Sequence, residues 1–206
     1  LGWSHGDQEI FSLEEMVERF DLDGCNKAAS AINPSKLIWL NKHYLKTFDP
    51  VHVARHLSWH IGQLGIDPCQ GPPLTEVVRA FAERADTLKG MAAAAEFLYR
   101  EFEDYDPKAA AKNLTALAEA PLRQLAEAFA ALPEWRAEPI HETVKKVAEE
   151  QGLALGKVAQ PLRVAISGTA VSPPIDITLE LLGRTKTLAR IDRALRHICQ
   201  DVGNRS

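Results

Sequence analysis

The chain reads as an all-α protein: two consecutive helical bundles, residues 49–104 and 105–206, preceded by a mixed segment over residues 1–48. Three observations predict this. First, an oxygen-bearing side chain precedes proline at Asn33-Pro34, Asp49-Pro50, Asp67-Pro68, Asp106-Pro107 and Ser172-Pro173. That is the pattern of an N-cap followed by proline at the first helical position. Second, apolar residues recur at helical spacing, as in Leu122, Leu125, Phe129 and Leu132, and again in Ile140, Val144 and Val147. Third, alternating strand patterns are scarce. Val164-Ala165-Ile166 is β-permissive but short, and only the first eleven residues offer a weak strand candidate.

In chain order, residues 1–48 are aromatic and mixed, with Trp3, Phe11, Phe20, Trp39 and Tyr44. Ser12-Leu13-Glu14-Glu15 is a capping box that opens a helix. Asp21-Leu22-Asp23-Gly24 resembles part of a calcium loop but lacks the downstream glutamate, so a turn is expected. Residues 49–104 hold three helices. The first break is Gly65-Ile66-Asp67-Pro68 with Gly71-Pro72-Pro73, and the second is Asp86-Thr87. Met91-Ala92-Ala93-Ala94-Ala95 is alanine-rich and reads as helix. The acidic, turn-prone stretch Glu103-Asp104-Tyr105-Asp106-Pro107 introduces residues 105–206. Gly152 is placed to stop a helix. From Lys157 to Gly183 an apolar helix carries one charged residue in its middle, Arg163. It runs into Ser167-Gly168-Thr169 and a stiff Ser172-Pro173-Pro174 loop, and a second helix follows. A rigid loop beside a lone arginine suits a surface that reads a shaped, anionic ligand.

Composition narrows the class. An apolar fraction of 46% and a charged fraction of 25% are ordinary for a globular protein. No apolar run approaches the roughly 20 residues of a membrane span, and no secretory leader is read. Cys25, Cys69 and Cys199 are odd in number and far apart, which points to reduced thiols in a cytosol. The net charge of −4 is unevenly spread. Residues 151–206 hold eight Lys and Arg against four Asp and Glu, or +4, so residues 1–150 carry −8. An average charge therefore does not describe a local face.

The sequence offers binding surfaces rather than chemistry. It has no GxSxG, HExxH or Walker loop, and its glycines stand singly at turns. His60-Ile61-Gly62-Gln63 is similar to the HIGH signature of class I tRNA synthetases. It lacks the second histidine and falls at the end of a helix rather than after a strand. His52, His56 and His60 follow at i, i+4, i+8, with Cys69 nearby. Zinc takes such ligands, but at 1.5 Å rise per residue the outer two histidines stand roughly 12 Å apart. A polar helix face is the simpler reading.

A larger resemblance runs through nearly the whole chain. It is carried by Leu1-Gly2-Trp3-Ser4, by Glu9 to Glu15, by Phe20-Asp21-Leu22, by Ile32 to Leu45, by Arg84 to Lys89, by Val158-Ala159-Gln160-Pro161-Leu162-Arg163 and by Leu181-Leu182-Gly183. In this order and spacing they resemble the C-terminal part of bacterial-type glutamyl-tRNA synthetases. The resemblance implies that residues 1–48 end the stem-contact region and that 49–104 and 105–206 are the two helical anticodon-binding domains. It implies glutamate tRNA as the partner, with no DNA, no membrane, a cytoplasmic location and a monomer. The parent is a class I glutamate–tRNA ligase whose catalytic domain uses ATP and magnesium. The part present here is expected to hold no catalytic residue, no metal and no cofactor.

The resemblance also implies site residues. Arg84 falls where the family reads the third anticodon base, and an arginine there goes with rejecting glutamine tRNA. Arg163 aligns with an arginine of the pocket for the first two bases. Ser172 and Ile175 fall on loop positions that contact those bases, where the family commonly has Thr-Pro-Gly-Leu. A planar guanidinium donates two parallel hydrogen bonds to a base edge or phosphate, and a single-stranded loop offers splayed bases. The bland alternatives are a salt bridge of Arg84 with Glu83 or Asp86, and a carbonyl cap for Arg163. Two rivals to tRNA binding remain: a helical protein-interaction module, which needs an exposed apolar patch, and a histidine-rich metal-binding protein.

Overall fold

The computed structural model describes residues 2–25 and 31–203, with side chains described up to residue 200. Leu1, from the N-terminal match above, lies outside them. Eleven α-helices and no extended strand are found among the described residues. They are α1 (Leu13–Arg19), α2 (Pro34–Thr47), α3 (Pro50–Gln63), α4 (Leu74–Phe81), α5 (Leu88–Tyr99), α6 (Pro107–Asn113), α7 (Ala116–Ala131), α8 (Ala137–Glu150), α9 (Leu155–Ser167), α10 (Ile175–Leu182) and α11 (Arg184–Gly203), with a 3-10 turn at Pro68–Gln70. The chain divides into two compact units, residues 1–38 and 39–206, with the boundary inside α2.

In the first unit, single bridges Trp3–Cys25 and His5–Gln8 replace any strand. The Trp3 ring meets Phe11 at 5.5 Å and Phe20 at 5.8 Å. The Ser12–Glu15 capping box forms with both of its bonds. The Gly24 N–H donates to Asp21 Oδ1 at 2.7 Å, closing the turn expected there. No residue of α1 is buried. Leu13, Met16, Val17 and Phe20, at helical i, i+3, i+4, i+7 spacing, are all exposed.

The second unit holds the core. Asp49, Asp67 and Asp106 each cap the helix that their proline begins. In the first unit Asn33 Oδ1 likewise accepts from the Ser35 N–H at the start of α2. The fifth expected cap fails. α10 starts at Ile175, its N-cap is Pro174, and no side chain caps it. Two consecutive prolines delay the helix, and the Ser172 hydroxyl is engaged elsewhere. The β-permissive Val164-Ala165-Ile166 lies inside α9. Gly152 takes φ +63° just after α8, and the Leu153 N–H reaches back to the Ala148 carbonyl at 2.8 Å.

α3 packs on α4 and α5. α7 packs on α11 and α8. α8 packs on α9 and α10, and α9 packs on α11. α10 also touches α4. Leu122, Leu125, Phe129 and Ile140 are wholly enclosed, and Val144 and Val147 nearly so, as their spacing predicted. Burying such side chains is worth about 1.5–3 kcal/mol each. No helix among the described residues is long and apolar enough to cross a membrane.

Candidate nucleic-acid interface

Two turns of the second unit carry the candidate residues. The first follows α4. There the Arg84 N–H donates to the Phe81 carbonyl at 2.9 Å, and the side chain is exposed. Its acidic neighbours are held by α2: Lys42 pairs with Asp86 at 3.1 Å and Lys46 pairs with Glu83. Asn41 Nδ2 also donates to the Asp86 carbonyl at 2.5 Å. The local ion pair that would have explained Arg84 therefore does not form. Arg84 has no carboxylate partner among the described residues.

The second turn joins α9 to α10. α9 ends at Ser167, and Gly168 follows in the left-handed region at φ +75°. A Cβ at Gly168 would stand 2.9 Å from the Phe102 ring, so both the backbone and the close approach require glycine. The Ser167 hydroxyl donates to the Arg163 carbonyl at 2.8 Å, and the Gly168 carbonyl accepts from the Asp106 N–H at 2.8 Å. Arg163 is half-buried. Its Nε donates to Ser172 Oγ at 2.9 Å and its Nη1 to Gln160 Oε1. These partners are uncharged and lie on side chains, so Arg163 does not cap carbonyls. Burial, and then the positive charge of Arg84, push its pKa below the ordinary arginine value.

The structure thus brings Arg84, Arg163 and Ser172 toward one region, while Ile175 faces inward. Ser172 is 6% exposed and Ile175 8%, the latter within the core. Thr178 Oγ1 backs the loop by donating to the Pro174 carbonyl at 2.9 Å. Two cations close enough to raise each other's potential, neither paired with a carboxylate among the described residues, form a site that a ligand rich in acceptors or negative charge relieves.

A family model described as an anticodon binding domain matches residues 52–195. The chain belongs to that family. The glutamate–tRNA ligase 1 of Nitrosococcus oceani is 55% identical over 198 residues, covering 96% of this chain and 42% of that protein. That of Alkalilimnicola ehrlichii is 55% identical over 195 residues, covering 95% and 41%. The chain therefore spans about two-fifths of the length of these relatives. Among solved structures, a glutamate tRNA ligase from Elizabethkingia meningosepticum, in complex with its amino acid, matches with TM-score 0.86 at 28% identity. It covers 96% of this chain and 39% of that one. A glutamate–tRNA synthetase from Elizabethkingia anophelis matches with TM-score 0.81 at 29% identity, covering 95% and 38%.

Other motifs take ordinary places in this anticodon-binding domain. His60-Ile61-Gly62 lies within the last turn of α3, with Ile61 in the core. The His52 and His56 rings meet edge-on at 4.9 Å, whereas His60 packs on Trp59 at 4.8 Å. Among the described residues no group of three or more His, Cys, Asp or Glu is placed to hold a metal ion.

One residue went unread in the sequence. Arg190 of α11 is 1% exposed. It donates to the carbonyls of Ile166 at 2.5 Å, Phe97 at 2.8 Å and Arg100 at 3.2 Å, and to both oxygens of Glu101 at 3.0 Å. Its signal was positional. Arg190 falls on the stripe of Thr187, Ile191, Ala194 and Ile198, all buried.

Proposed function

We propose that this chain is the anticodon-recognising part of a bacterial-type, class I glutamate–tRNA ligase. The whole ligase attaches glutamate to its tRNA with ATP and magnesium. This stretch binds the anticodon loop and arm of a glutamate tRNA and contributes no catalytic group. In this reading residues 1–48 end the stem-contact region, and residues 49–104 and 105–206 are the first and second helical anticodon-binding domains. The protein works in the cytoplasm as a monomer. Arg84, Arg163, Ser172 and Ile175 form the pocket: Arg163 presents its guanidinium to the first two bases and Arg84 to the third. Ser172 steadies Arg163 and Ile175 anchors the loop. The supporting observation is that neither Arg84 nor Arg163 pairs with a carboxylate among the described residues, within a chain of the anticodon-binding family.

The test is titration of the chain with a labelled anticodon stem-loop of glutamate tRNA, against stem-loops of other tRNAs. Arg163→Ala should cost about 1–3 kcal/mol of binding, the worth of one good bidentate contact. Affinity should fall as salt rises, because phosphate contacts release counterions. Equal affinity of wild type and a folded Arg163→Ala would remove the reading role. A protein-interaction role keeps one observation in its favour, the exposed apolar stripe Leu13, Met16, Val17 and Phe20 on α1. It concerns the first unit and predicts that adding charge at Val17 leaves stem-loop binding unchanged.

A further inference from the structure

Gln160 precedes Arg163 by three residues on α9, so the two side chains are neighbours on one helix face. Gln160 Nε2 donates to the Ala170 carbonyl at 3.4 Å. With its donor end turned to a carbonyl, its acceptor end turns to Arg163, and Oε1 accepts from Nη1. On the other side Ser172 Oγ accepts from Arg163 Nε at 2.9 Å and donates its own proton to the Pro173 carbonyl at 2.9 Å. The guanidinium is therefore gripped at two of its three nitrogens. Nη2 meets no protein acceptor among the described residues, and it is not among the enclosed unpartnered atoms. It is open to solvent, with both hydrogens available.

The grip is chemically particular. A carboxylate at position 160 would also fix the guanidinium, but it would neutralise a half-buried cation. A neutral amide oxygen fixes the direction and leaves the charge whole. We infer that Gln160 is a positioning residue that aims Arg163 Nη2 at an acceptor oxygen of the RNA while leaving its charge unquenched. The inference rests on the RNA-binding role proposed above.

Two substitutions separate direction from charge. Gln160→Met keeps the stem and removes the acceptor. Gln160→Glu keeps the acceptor and adds the charge. Stem-loop binding by the whole chain should weaken about tenfold in both, the scale of one hydrogen bond to a charged group. Urea unfolding should stay as in wild type. Wild-type affinity in either variant, beside a weakened Arg163→Ala, would overturn the inference. A second readout needs no RNA. In NMR spectra the Arg163 guanidinium of the wild type should show restricted rotation and distinct Nη signals, and Gln160→Met should release it. If Arg163→Ala itself binds as wild type, the RNA-binding role fails, and this NMR comparison still decides the positioning: unchanged Arg163 signals in Gln160→Met overturn it.

Discussion

Arg163 and Arg190 stand on helices that pack together, α9 and α11, and they are held in opposite ways. Arg190 spends its donors inward: three carbonyls from two segments, the Glu101 carboxylate, and the Phe102 face at 5.1 Å. Arg163 is held by two neutral oxygens and keeps one nitrogen outward. Both are cationic and at least half-buried, so burial does not distinguish structure from function. The disposal of the charge does. A guanidinium with internal acceptors and a carboxylate joins segments of the fold, whereas one left unneutralised is set for a ligand.

Removing Arg190 should break this comparison hardest. Arg190→Met leaves the Ile166, Phe97 and Arg100 carbonyls without their donor, and should lower unfolding free energy in urea by about 3–5 kcal/mol. Stem-loop affinity per folded molecule should be retained. Gly168→Ala comes next. It places a side chain at φ +75° and against Phe102, the ring beneath Arg190. A loss of about 2 kcal/mol in the same measurement is expected from the left-handed backbone and the contact together.

Tyr99 sharpens the structural side. Its hydroxyl donates to the Pro72 carbonyl at 2.9 Å, and burial pushes its pKa from 10.0 up to about 12. The fold thus favours the neutral phenol. This contribution is whole below pH 10 and is lost as pH rises toward about 12. Tyr99→Phe should cost about 1 kcal/mol at neutral pH, the usual net worth of a hydrogen bond. It should also flatten the alkaline arm of stability followed by circular dichroism.

The smallest effect on the fold belongs to Arg84→Gln. An exposed turn residue with no ion partner among the described residues should change unfolding free energy by less than about 0.5 kcal/mol. Its effect should appear in base preference. Glutamine supplies a donor and an acceptor, so stem-loops with cytosine or guanine at the third anticodon base should bind more nearly alike. An unchanged preference would leave Arg84 as a surface charge.

Much of the helical frame was legible locally. Asp49, Asp67 and Asp106 cap because an oxygen and a following proline act within one turn of chain. Ser12 and Glu15 close their box for the same reason. The enclosed faces of α7 and α8 followed from apolar spacing alone. Ser172-Pro173 carried the same local signal and failed, because Arg163, nine residues earlier, takes the serine oxygen. Pro121 and Pro161 lie inside α7 and α9, where a local rule would have ended each helix. Both are buried, so packing outweighs the lost hydrogen bond.

By itself, then, the sequence determined what nearest neighbours along the chain can decide: helix starts, helix stops and which faces turn inward. It also marked Arg84 and Arg163 as candidates. Only the tertiary structure decided which arginine is spent. Lys42 and Lys46, some forty residues before Arg84, draw its acidic neighbours away. Glu101 and the Phe97 carbonyl, about ninety residues before Arg190, take up most of that cation's donors. The physical reason is that a charge is settled by whatever lies within a few ångströms of it, and in a helical bundle those groups come from distant parts of the chain.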